Sequence, residues 1–402
     1  MKKITVAASK SYLQRALAIA ALAHGESVLK QVSWCNDSVA ARKIIENLGC
    51  QTAEENRNLS IKSSGIRFKT KSFNAGEAGL SIRMFSPVFA LSNHRIDFTG
   101  EGSLKTRPIQ IIEDALRQLG VEVESHKGLL PLKIKGPVQP GNISIDGSLS
   151  SQLLTGLLIA LPLANGDSVI EVSHLKSIPY IDMTLAIMKH FGVEVVHEDY
   201  QIFRIKGHQE YQAKPYDIEG DWSGGAFFLV YGAVKENIEI ANLNDASKQA
   251  DKAIIEALQL AGAHVKMDAQ SVKVEKSELT AFEFDATDCP DLFPPLVCLA
   301  SQCKGETKLK GISRLKHKES DRATVLKEEF SKIGIEITLK GDLMHIKGSK
   351  PTAGIINSHN DHRIAMVGGL MNLFCDDEIK TTGQESVNKS YPDFFTDLSA
   401  LG

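Results

Sequence analysis

The hydrophobic positions of this chain form two alternating series of segments. In the first series, a helix ends at a glycine and is followed by a strand in which apolar and polar residues alternate, as in QLGVEVE and KIGIEIT. Glycine just past a helix accepts a positive φ without strain, and alternation with period two is typical of a half-exposed strand. These glycines recur at a nearly constant interval of roughly 70 residues, namely Gly49, Gly120, Gly192, Gly262 and Gly334. The chain is therefore predicted to consist of repeated helix-and-strand units.

The second series consists of strongly apolar helices that lie between these markers at the same interval. They are predicted to open near Lys10, Gly79, Ser151, Ser223, Asp291 and Asp361. Several, such as LLTGLLIALPLA and AFFLVYGAV, have no polar face, and a helix that is apolar all round is buried. The pattern thus predicts an α/β fold with helices inside and sheets outside.

Six such units are too large for an ordinary solenoid, so we group them as two domains of three units. The stretch YDIEGDWSGG marks the border, which gives a first domain of residues 9–220 and a second, discontinuous domain of residues 1–8 plus 221–402. The sixth unit lacks its last strand, while KKITVAA at residues 2–8 is an unassigned strand. If this strand closes the sixth unit, two chain crossings join the domains, an arrangement suited to a hinge.

Composition excludes several functional classes. Forty-six Lys and Arg against 49 Asp and Glu give a net charge of −3, without the single-sign excess of a nucleic-acid or membrane-surface binder. The N-terminus does not read as a secretory leader, and no apolar run reaches membrane-spanning length. Six scattered cysteines show no metal-binding spacing. We therefore expect a cytoplasmic protein with reduced thiols, no metal, and no nucleic-acid or membrane partner.

The chemistry-bearing residues gather at the beginnings of the apolar helices. SKSYLQR opens the first helix, GEAGLSIR the second, GSLSSQ the third, DCPD the fifth and NDHR the sixth. Helix N-termini present unpaired N–H groups and the positive end of the dipole, so they favour phosphate and carboxylate. If several of these ends converge between two domains, the ligand is anionic and carries more than one such group.

Each motif alone also has a purely structural interpretation. Ser11 could cap its helix while Arg15, on the same face, forms a salt bridge, and Ser150 with Ser151 could be a polar lead-in to the third helix. The charged run LKHKESDR at 315–322 could be a solvated face, and Asp361 could be a simple cap. Only the combination of motifs separates the two interpretations.

Taken in order, SKSxxxR, EAGLSIR, TRPI, GSxSSQ, SxPYIDMT, DCPD, KESDR, NDHR and NKSYPDF resemble the signature of the 5-enolpyruvylshikimate-3-phosphate synthase family. The resemblance runs from residue 9 to residue 395. It implies a two-domain inside-out α/β barrel, with three βαβαββ repeats per domain and the active site in the interdomain cleft. It also implies transfer of the enolpyruvyl group of phosphoenolpyruvate to the 5-hydroxyl of shikimate 3-phosphate, without metal or organic cofactor.

The resemblance assigns two overlapping sets of binding residues. Shikimate 3-phosphate is expected on Lys10, Ser11, Arg15, Ser150, Ser151, Gln152, Ser177, Tyr180, Asp291 and Lys318. Phosphoenolpyruvate is expected on Lys10, Gly79, Arg107, Gln152, Arg322, Arg363 and Lys389. Seven of these residues are cations, against roughly five or six negative charges on the two ligands. The partner of Arg15 is accordingly expected to be shikimate 3-phosphate and not a group of the protein.

The implied reaction is addition followed by elimination, so one proton must reach the methylene carbon and another must leave the attacking hydroxyl. The family pattern makes Asp291 the base, Glu319 the acid, and Lys10 the residue that stabilises developing charge. A carboxylate among many cations should, however, have a depressed pKa, which suits a base poorly. The assignment of Asp291 is therefore a hypothesis.

The chain departs from the family pattern in the second motif. Leu80 follows Gly79 where the family usually has Thr or Ser, and Met84 stands where proline or an aliphatic residue is common. Leu80 adds bulk and removes a hydroxyl, which predicts altered affinity for phosphoenolpyruvate and reduced sensitivity to glyphosate.

Two alternatives remain open at this point. One is the sister enzyme that acts on UDP-N-acetylglucosamine, although KTRPI lacks the reactive Cys of that family. The other is a non-catalytic anion-binding homologue. We expect a monomer with two small-molecule substrates.

Overall fold

A computed structural model describes residues 1–316 and 318–402 of the chain. Its α-helices are α1 (Lys10–Leu22), α2 (Asn36–Asn47), α3 (Gly79–Phe89), α4 (Gln110–Gln118), α5 (Gln152–Ala160), α6 (Ile178–His190), α7 (Trp222–Val234), α8 (Ile254–Leu260), α9 (Phe293–Ser301), α10 (Arg322–Ser331), α11 (His362–Phe374) and α12 (Phe394–Ser399).

The first half of the strands comprises β1 (Lys2–Thr5), β2 (Gly25–Lys30), β3 (Gln51–Glu55), β4 (Asn58–Ser63), β5 (Ser72–Asn74), β6 (Arg95–Thr99), β7 (Glu122–His126), β8 (Leu129–Lys135), β9 (Asn142–Asp146), β10 (Ser168–Ser173) and β11 (Val196–Glu198). The second half comprises β12 (Ile202–Ile205), β13 (Pro215–Asp217), β14 (Ile238–Ala241), β15 (His264–Asp268), β16 (Ser271–Glu275), β17 (Glu283–Asp285), β18 (Glu306–Lys310), β19 (Glu336–Lys340), β20 (Leu343–Lys347), β21 (Gly354–Asn357) and β22 (Ile379–Thr382).

The chain forms two compact units. The first unit is Lys10–Ile218, and the second combines Met1–Ser9 with Glu219–Gly402. Short 3₁₀ turns link several elements within each unit, including Pro290–Leu292 ahead of α9 and Gln384–Lys389 ahead of α12.

One strand arrangement recurs within the first unit, all of whose residues the structure describes. Its three sheets have the orders β13-β2-β4-β3, β5-β6-β8-β7 and β9-β10-β12-β11. In each of these orders, the first two strands run parallel and the last two form an antiparallel hairpin. In the middle sheet, for example, β5 is parallel to β6 and β7 is antiparallel to β8. Helices α3 and α4 connect the strands of the middle sheet, which gives the βαβαββ order.

The second unit repeats this plan twice and then departs from it. Sheets β1-β14-β16-β15 and β17-β18-β20-β19 have four strands, whereas β21 and β22 form a parallel pair, in the part of the chain that the structure describes. Strand β1 lies parallel to β14, with Lys2 opposite Ile238. The N-terminal strand thus completes the fourth repeat, and the idea that it closes the sixth is wrong. The reason is that β13, the strand preceding α7, pairs with β2 in the first unit and leaves the edge of β14 open.

Buried helices form the core of each unit. The side chains from Trp222 to Ala233 of α7 and from His362 to Met371 of α11 are buried, as are those from Tyr12 onward in α1. These helices begin within two residues of the predicted positions, and the five marker glycines have φ between 72° and 113°. Among the described residues, no helix is both long enough and apolar enough to cross a membrane.

Candidate active site

Arg15 lies on the buried side of α1 with 1% of its surface exposed. Its Nε donates to Thr184 Oγ1 (2.9 Å), and its Nη1 donates to the Ser11 carbonyl one turn earlier (2.9 Å). Its Nη2 donates to Thr155 Oγ1 (3.5 Å) and to the Tyr180 carbonyl (3.4 Å). The expectation that Arg15 lacks partners in the protein is therefore wrong, because α5 and α6 supply neutral oxygens to it. These oxygens fix the guanidinium without cancelling its charge, and burial lowers the pKa of Arg15 to about 10.

Lys10, the first residue of α1, is paired with a carboxylate that the sequence analysis did not identify. Its Nζ lies 2.9 Å from Asp37 Oδ2, in the first turn of α2. Asp37 is 5% exposed, and its Oδ1 is buried without a hydrogen-bond partner among the described residues. The pair holds the ammonium group at the N-terminus of α1.

Gly79, the first residue of α3, lies against the guanidinium of Arg107. A Cβ on Gly79 would lie 2.7 Å from Arg107 Nη1 and 2.9 Å from Cζ, closer than such contacts allow. A side chain at position 79 would therefore displace the flexible end of Arg107, and glycine leaves the guanidinium its place beside the start of α3. Leu80 beside it is 9% exposed, whereas Met84 is fully buried in the core.

Arg83 connects the residues of this region, although sequence reasoning did not assign it a role. Its Nη1 donates to the Gly79 carbonyl (3.2 Å) and to Gln152 Oε1 (3.1 Å), and its Nη2 donates to the Pro108 carbonyl (3.0 Å). The sequence feature that could have indicated a role for Arg83 is its charge inside an apolar helix, one turn after Gly79. Arg83 thereby fixes the starts of α3 and α5 relative to the Arg107 loop.

The starts of α5 and α6 present the predicted serines. Ser150 Oγ accepts a hydrogen bond from the Gln152 amide (3.2 Å), and Ser151 is the residue that precedes α5. Ser177 precedes α6 in the left-handed region, with φ of 60°. A non-glycine residue held there costs about 1–3 kcal/mol and is often found at ligand sites. The Tyr180 ring lies beside Arg15, whose Cζ is 5.9 Å from the ring centroid.

Arg322 organises the predicted residues of the second unit. Its side chain is 1% exposed, and it contacts three carboxylates, those of Asp291 (Nη1 to Oδ1, 2.6 Å), Glu319 (Nη2 to Oε2, 2.9 Å) and Asp361 (Nε to Oδ2, 2.8 Å). Asp361 is fully buried, caps α11 through the Arg363 amide (3.0 Å), and also accepts from Ser320 Oγ (3.0 Å). Asp361 is thus, after Asp37 and Arg83, a further residue whose structural importance the sequence reasoning understated.

Asp291 lies in the turn ahead of α9 and has two cationic neighbours. Its Oδ1 is 3.1 Å from Lys318 Nζ as well as 2.6 Å from Arg322. Burial favours the neutral acid, but the charges of Lys318, Arg322 and Arg363 outweigh it and hold the pKa of Asp291 well below its usual range. Burial in turn lowers the pKa of Lys318, against the attraction of Asp291.

Two further predicted cations belong to the same unit. Arg363, in the first turn of α11, is 3% exposed, and its Nε and Nη1 have no hydrogen-bond partner among the described residues. Lys389 is 6% exposed, with Nζ 3.9 Å from Glu319 Oε1. The motif at 315–322 includes residue 317, which lies outside the described residues.

We group the predicted site residues into two clusters, one for each unit. The first unit holds Lys10, Ser11, Arg15, Gly79, Arg107, Ser150, Ser151, Gln152, Ser177 and Tyr180, and the second holds Asp291, Lys318, Glu319, Arg322, Arg363 and Lys389. A repeated βαβαββ fold with cations at the beginnings of buried helices is suited to small polyanionic ligands.

Comparison with known proteins identifies the family within this class of folds that bind small polyanionic ligands. The chain belongs to the EPSP synthase (3-phosphoshikimate 1-carboxyvinyltransferase) family, which it matches over residues 1–398. It is 36% identical to a 3-phosphoshikimate 1-carboxyvinyltransferase of Clostridium acetobutylicum, covering 99% of this chain and 94% of the relative. A relative of the same name from Clostridium kluyveri is also 36% identical, over 100% and 95% of the two chains.

A solved structure gives the same answer for the fold. EPSP synthase from Acinetobacter baumannii superposes with a TM-score of 0.84 at 26% identity, covering 100% of this chain and 95% of that one. The family and the fold predicted from the motifs are therefore confirmed.

Proposed function

We propose that this chain transfers the 1-carboxyvinyl group of phosphoenolpyruvate to the 5-hydroxyl of shikimate 3-phosphate and releases inorganic phosphate, a step toward aromatic amino acids. Membership of the EPSP synthase family over residues 1–398 is the observation that carries the proposal. The cation clusters support it, because each substrate bears a phosphate and a carboxylate.

The first unit supplies three of the seven assigned cations, Lys10, Arg15 and Arg107. Shikimate 3-phosphate binds to Lys10, Ser11, Arg15, Ser150, Ser151, Gln152, Ser177 and Tyr180 of the first unit, with Asp291 and Lys318 of the second. Arg15 is held by neutral oxygens, so its charge acts on the ligand with little loss from internal carboxylates. Phosphoenolpyruvate binds to Lys10, Gly79, Arg107 and Gln152 of the first unit.

The second unit supplies Arg322, Arg363 and Lys389 to phosphoenolpyruvate and handles the protons. Glu319 protonates the methylene carbon while the 5-hydroxyl oxygen attacks C2, and Asp291 accepts the hydroxyl proton. In the elimination, the Glu319 carboxylate takes a proton back from the methyl carbon while the bond between C2 and the phosphate oxygen breaks and inorganic phosphate leaves. Lys10 stabilises the charge that develops. The proposal requires both clusters to act on the same pair of substrates, in a cleft between the two domains.

The depressed pKa of Asp291 makes it a weak base, so its contribution is mainly to orient the hydroxyl and accept its proton late. Asp291→Asn should cut turnover by about 10²-fold or more while changing substrate affinity little. Single-turnover kinetics with separate binding titrations measure the two effects. A variant with near-normal turnover removes Asp291 from the chemistry.

A phosphate-release assay that offers shikimate 3-phosphate and UDP-N-acetylglucosamine in separate reactions tests the function itself. We expect phosphate only with shikimate 3-phosphate. Release with the nucleotide sugar identifies the sister activity, and no release with either identifies a non-catalytic homologue. We further propose that the chain is a cytoplasmic monomer; light scattering of the same preparation tests whether it is monomeric.

A further inference from the structure

Asp251 is a buried carboxyl group that lies outside every motif assigned above. It belongs to the 3₁₀ turn Ala250–Ala253 and is 2% exposed. Its Oδ2 accepts a hydrogen bond from the hydroxyl of Ser223, in the first turn of α7. Its Oδ1 is buried and has no hydrogen-bond partner among the described residues. A buried carboxylate with an open acceptor is costly, and that cost falls if it binds a proton.

Charged groups from several elements act on this carboxyl. Burial and the negative charges of Asp291 and of Asp221, the cap of α7, favour its neutral form, whereas Arg363 and the Ser223 hydroxyl favour the charged form. The balance raises the pKa of Asp251 to about 7. Cys289 completes the surroundings, and burial together with the charge of Asp251 raises the pKa of its thiol.

Asp251 and Asp291 therefore differ in ionisation, although the charge of Asp291 acts on Asp251. Asp291 stays charged beside Lys318 and Arg322, while Asp251 holds a proton at neutral pH part of the time. When their surroundings give two carboxyl groups of a site different pKa values, one commonly holds a proton while the other stays ionised.

Arg363 connects Asp251 to ligand binding. Its Nε and Nη1 are buried without a hydrogen-bond partner among the described residues, and its charge acts on both Asp251 and Asp291. An ionised Asp251 attracts Arg363 and repels any anion that approaches this arginine. A neutral Asp251 does neither, so an anion at Arg363 favours the protonated form.

We propose that Asp251 is a positioning residue that couples the binding of phosphoenolpyruvate at Arg363 to the uptake of a proton by its buried carboxyl. This inference rests on the proposed function, which places phosphoenolpyruvate on Arg363. The proton comes from solvent, forms an O–H bond on Asp251, and returns to solvent when the anion leaves. No substrate bond changes in this step.

The sign of the pH dependence follows from linkage. Below the pKa of Asp251 the carboxyl is already neutral, so affinity for the anion is constant. Above it, binding must bring in a proton, and Kd rises by up to about tenfold per pH unit. The phosphate of phosphoenolpyruvate, with a pKa of about 6, is fully ionised over that range and does not produce this rise.

Calorimetry measures the proton directly. Phosphoenolpyruvate is titrated at pH 8 into the full chain saturated with shikimate 3-phosphate, in two buffers of different ionisation enthalpy. The wild-type protein should take up a larger fraction of a proton than Asp251→Asn, and the Kd of the variant should not rise between pH 7 and 8.5. The matched control is Asp245→Asn, which removes an exposed carboxylate paired with Lys252 and should behave as wild type.

A second variant covers the case in which Asp251→Asn fails to fold. Ser223→Ala removes the hydrogen bond that favours the charged form of Asp251, so the pH at which Kd begins to rise should move upward. An unmoved profile, or equal proton uptake in wild type and Asp251→Asn, overturns the inference and leaves the proposed function intact. Absence of phosphoenolpyruvate binding in the wild type instead counts against the proposed function.

Discussion

Arg15 and Arg322 are both almost completely buried, but the groups that hold them differ in kind. Arg15 is surrounded by two threonine hydroxyls and two carbonyl oxygens, whereas Arg322 is surrounded by three carboxylates. Burial lowers the pKa of Arg15, while at Arg322 the carboxylates outweigh burial and raise the pKa above its ordinary value. The same side chain thus serves two purposes in the two units.

The difference shows how the work of the site is divided. Neutral partners orient a cation and leave its field available to an incoming anion. Carboxylate partners neutralise the cation and build a rigid network, in which removal of one member leaves a buried charge uncompensated. Arg15 is therefore placed to attract an anion, whereas Arg322 holds carboxyl groups in defined positions.

The largest expected effect comes from breaking the carboxylate network. Asp361→Asn keeps an oxygen for the cap of α11 but removes the charge opposite Arg322, and it should lower the free energy of unfolding by about 3–5 kcal/mol. Thr184→Val, the matched change at Arg15, should cost only about 1–3 kcal/mol. Denaturant unfolding of both variants measures the contrast. Equal losses of unfolding free energy in the two variants would mean that neutral and carboxylate partners stabilise the two arginines to the same extent.

A smaller effect is expected from moving a cation in the first unit without removing it. Gly79→Ala places a methyl group where the Arg107 guanidinium lies, so KM for phosphoenolpyruvate should rise at least about tenfold, equivalent to roughly 1.4 kcal/mol, with little loss of stability. Gly141→Ala is the control, because a Cβ there meets no atom within 4 Å among the described residues. An unchanged KM in Gly79→Ala would show that Arg107 does not contribute to phosphoenolpyruvate binding from this position.

The smallest effect concerns the departure from the family pattern at residue 80. Leu80 has little exposed surface, so Leu80→Thr should change KM for phosphoenolpyruvate only a few-fold, within about 1 kcal/mol. We expect it to increase inhibition by glyphosate, measured as a lower inhibition constant. Inhibition that is already tight in the wild type and unaltered in the variant contradicts the hypothesis.

Much of this organisation could be predicted because it depends on local patterns. The apolar helices, their starting residues and the positive-φ glycines follow from periodicity and capping, and nine motifs in order identified the family. Asp37, Arg83, Asp251 and Asp361 acquire their importance from interactions made through folding, with residues up to about 110 positions away. Their charges were visible in the sequence, but their partners were not.

The pairing of β1 was missed for the same reason. Nothing in KKITVAA specifies which sheet has an open edge, since that depends on where β13 pairs. The partners of Arg15 were equally hidden, because Thr155 and Thr184 are ordinary members of apolar helices until α5 and α6 bring them to the guanidinium.

Strand β13 pairs with β2 in the first unit, and β1 takes the corresponding place beside β14 in the second. This arrangement also has a consequence for synthesis on the ribosome. The first unit receives its last sheet strand as soon as residues 215–217 emerge, whereas β1 must wait until its neighbour at 238–241 has been made. At about 5–20 residues per second, this strand remains without its partner for roughly ten to fifty seconds. Strand β1, although it is made before the Lys10–Ile218 unit, is thus among the later strands to pair, and that unit can fold in the meantime.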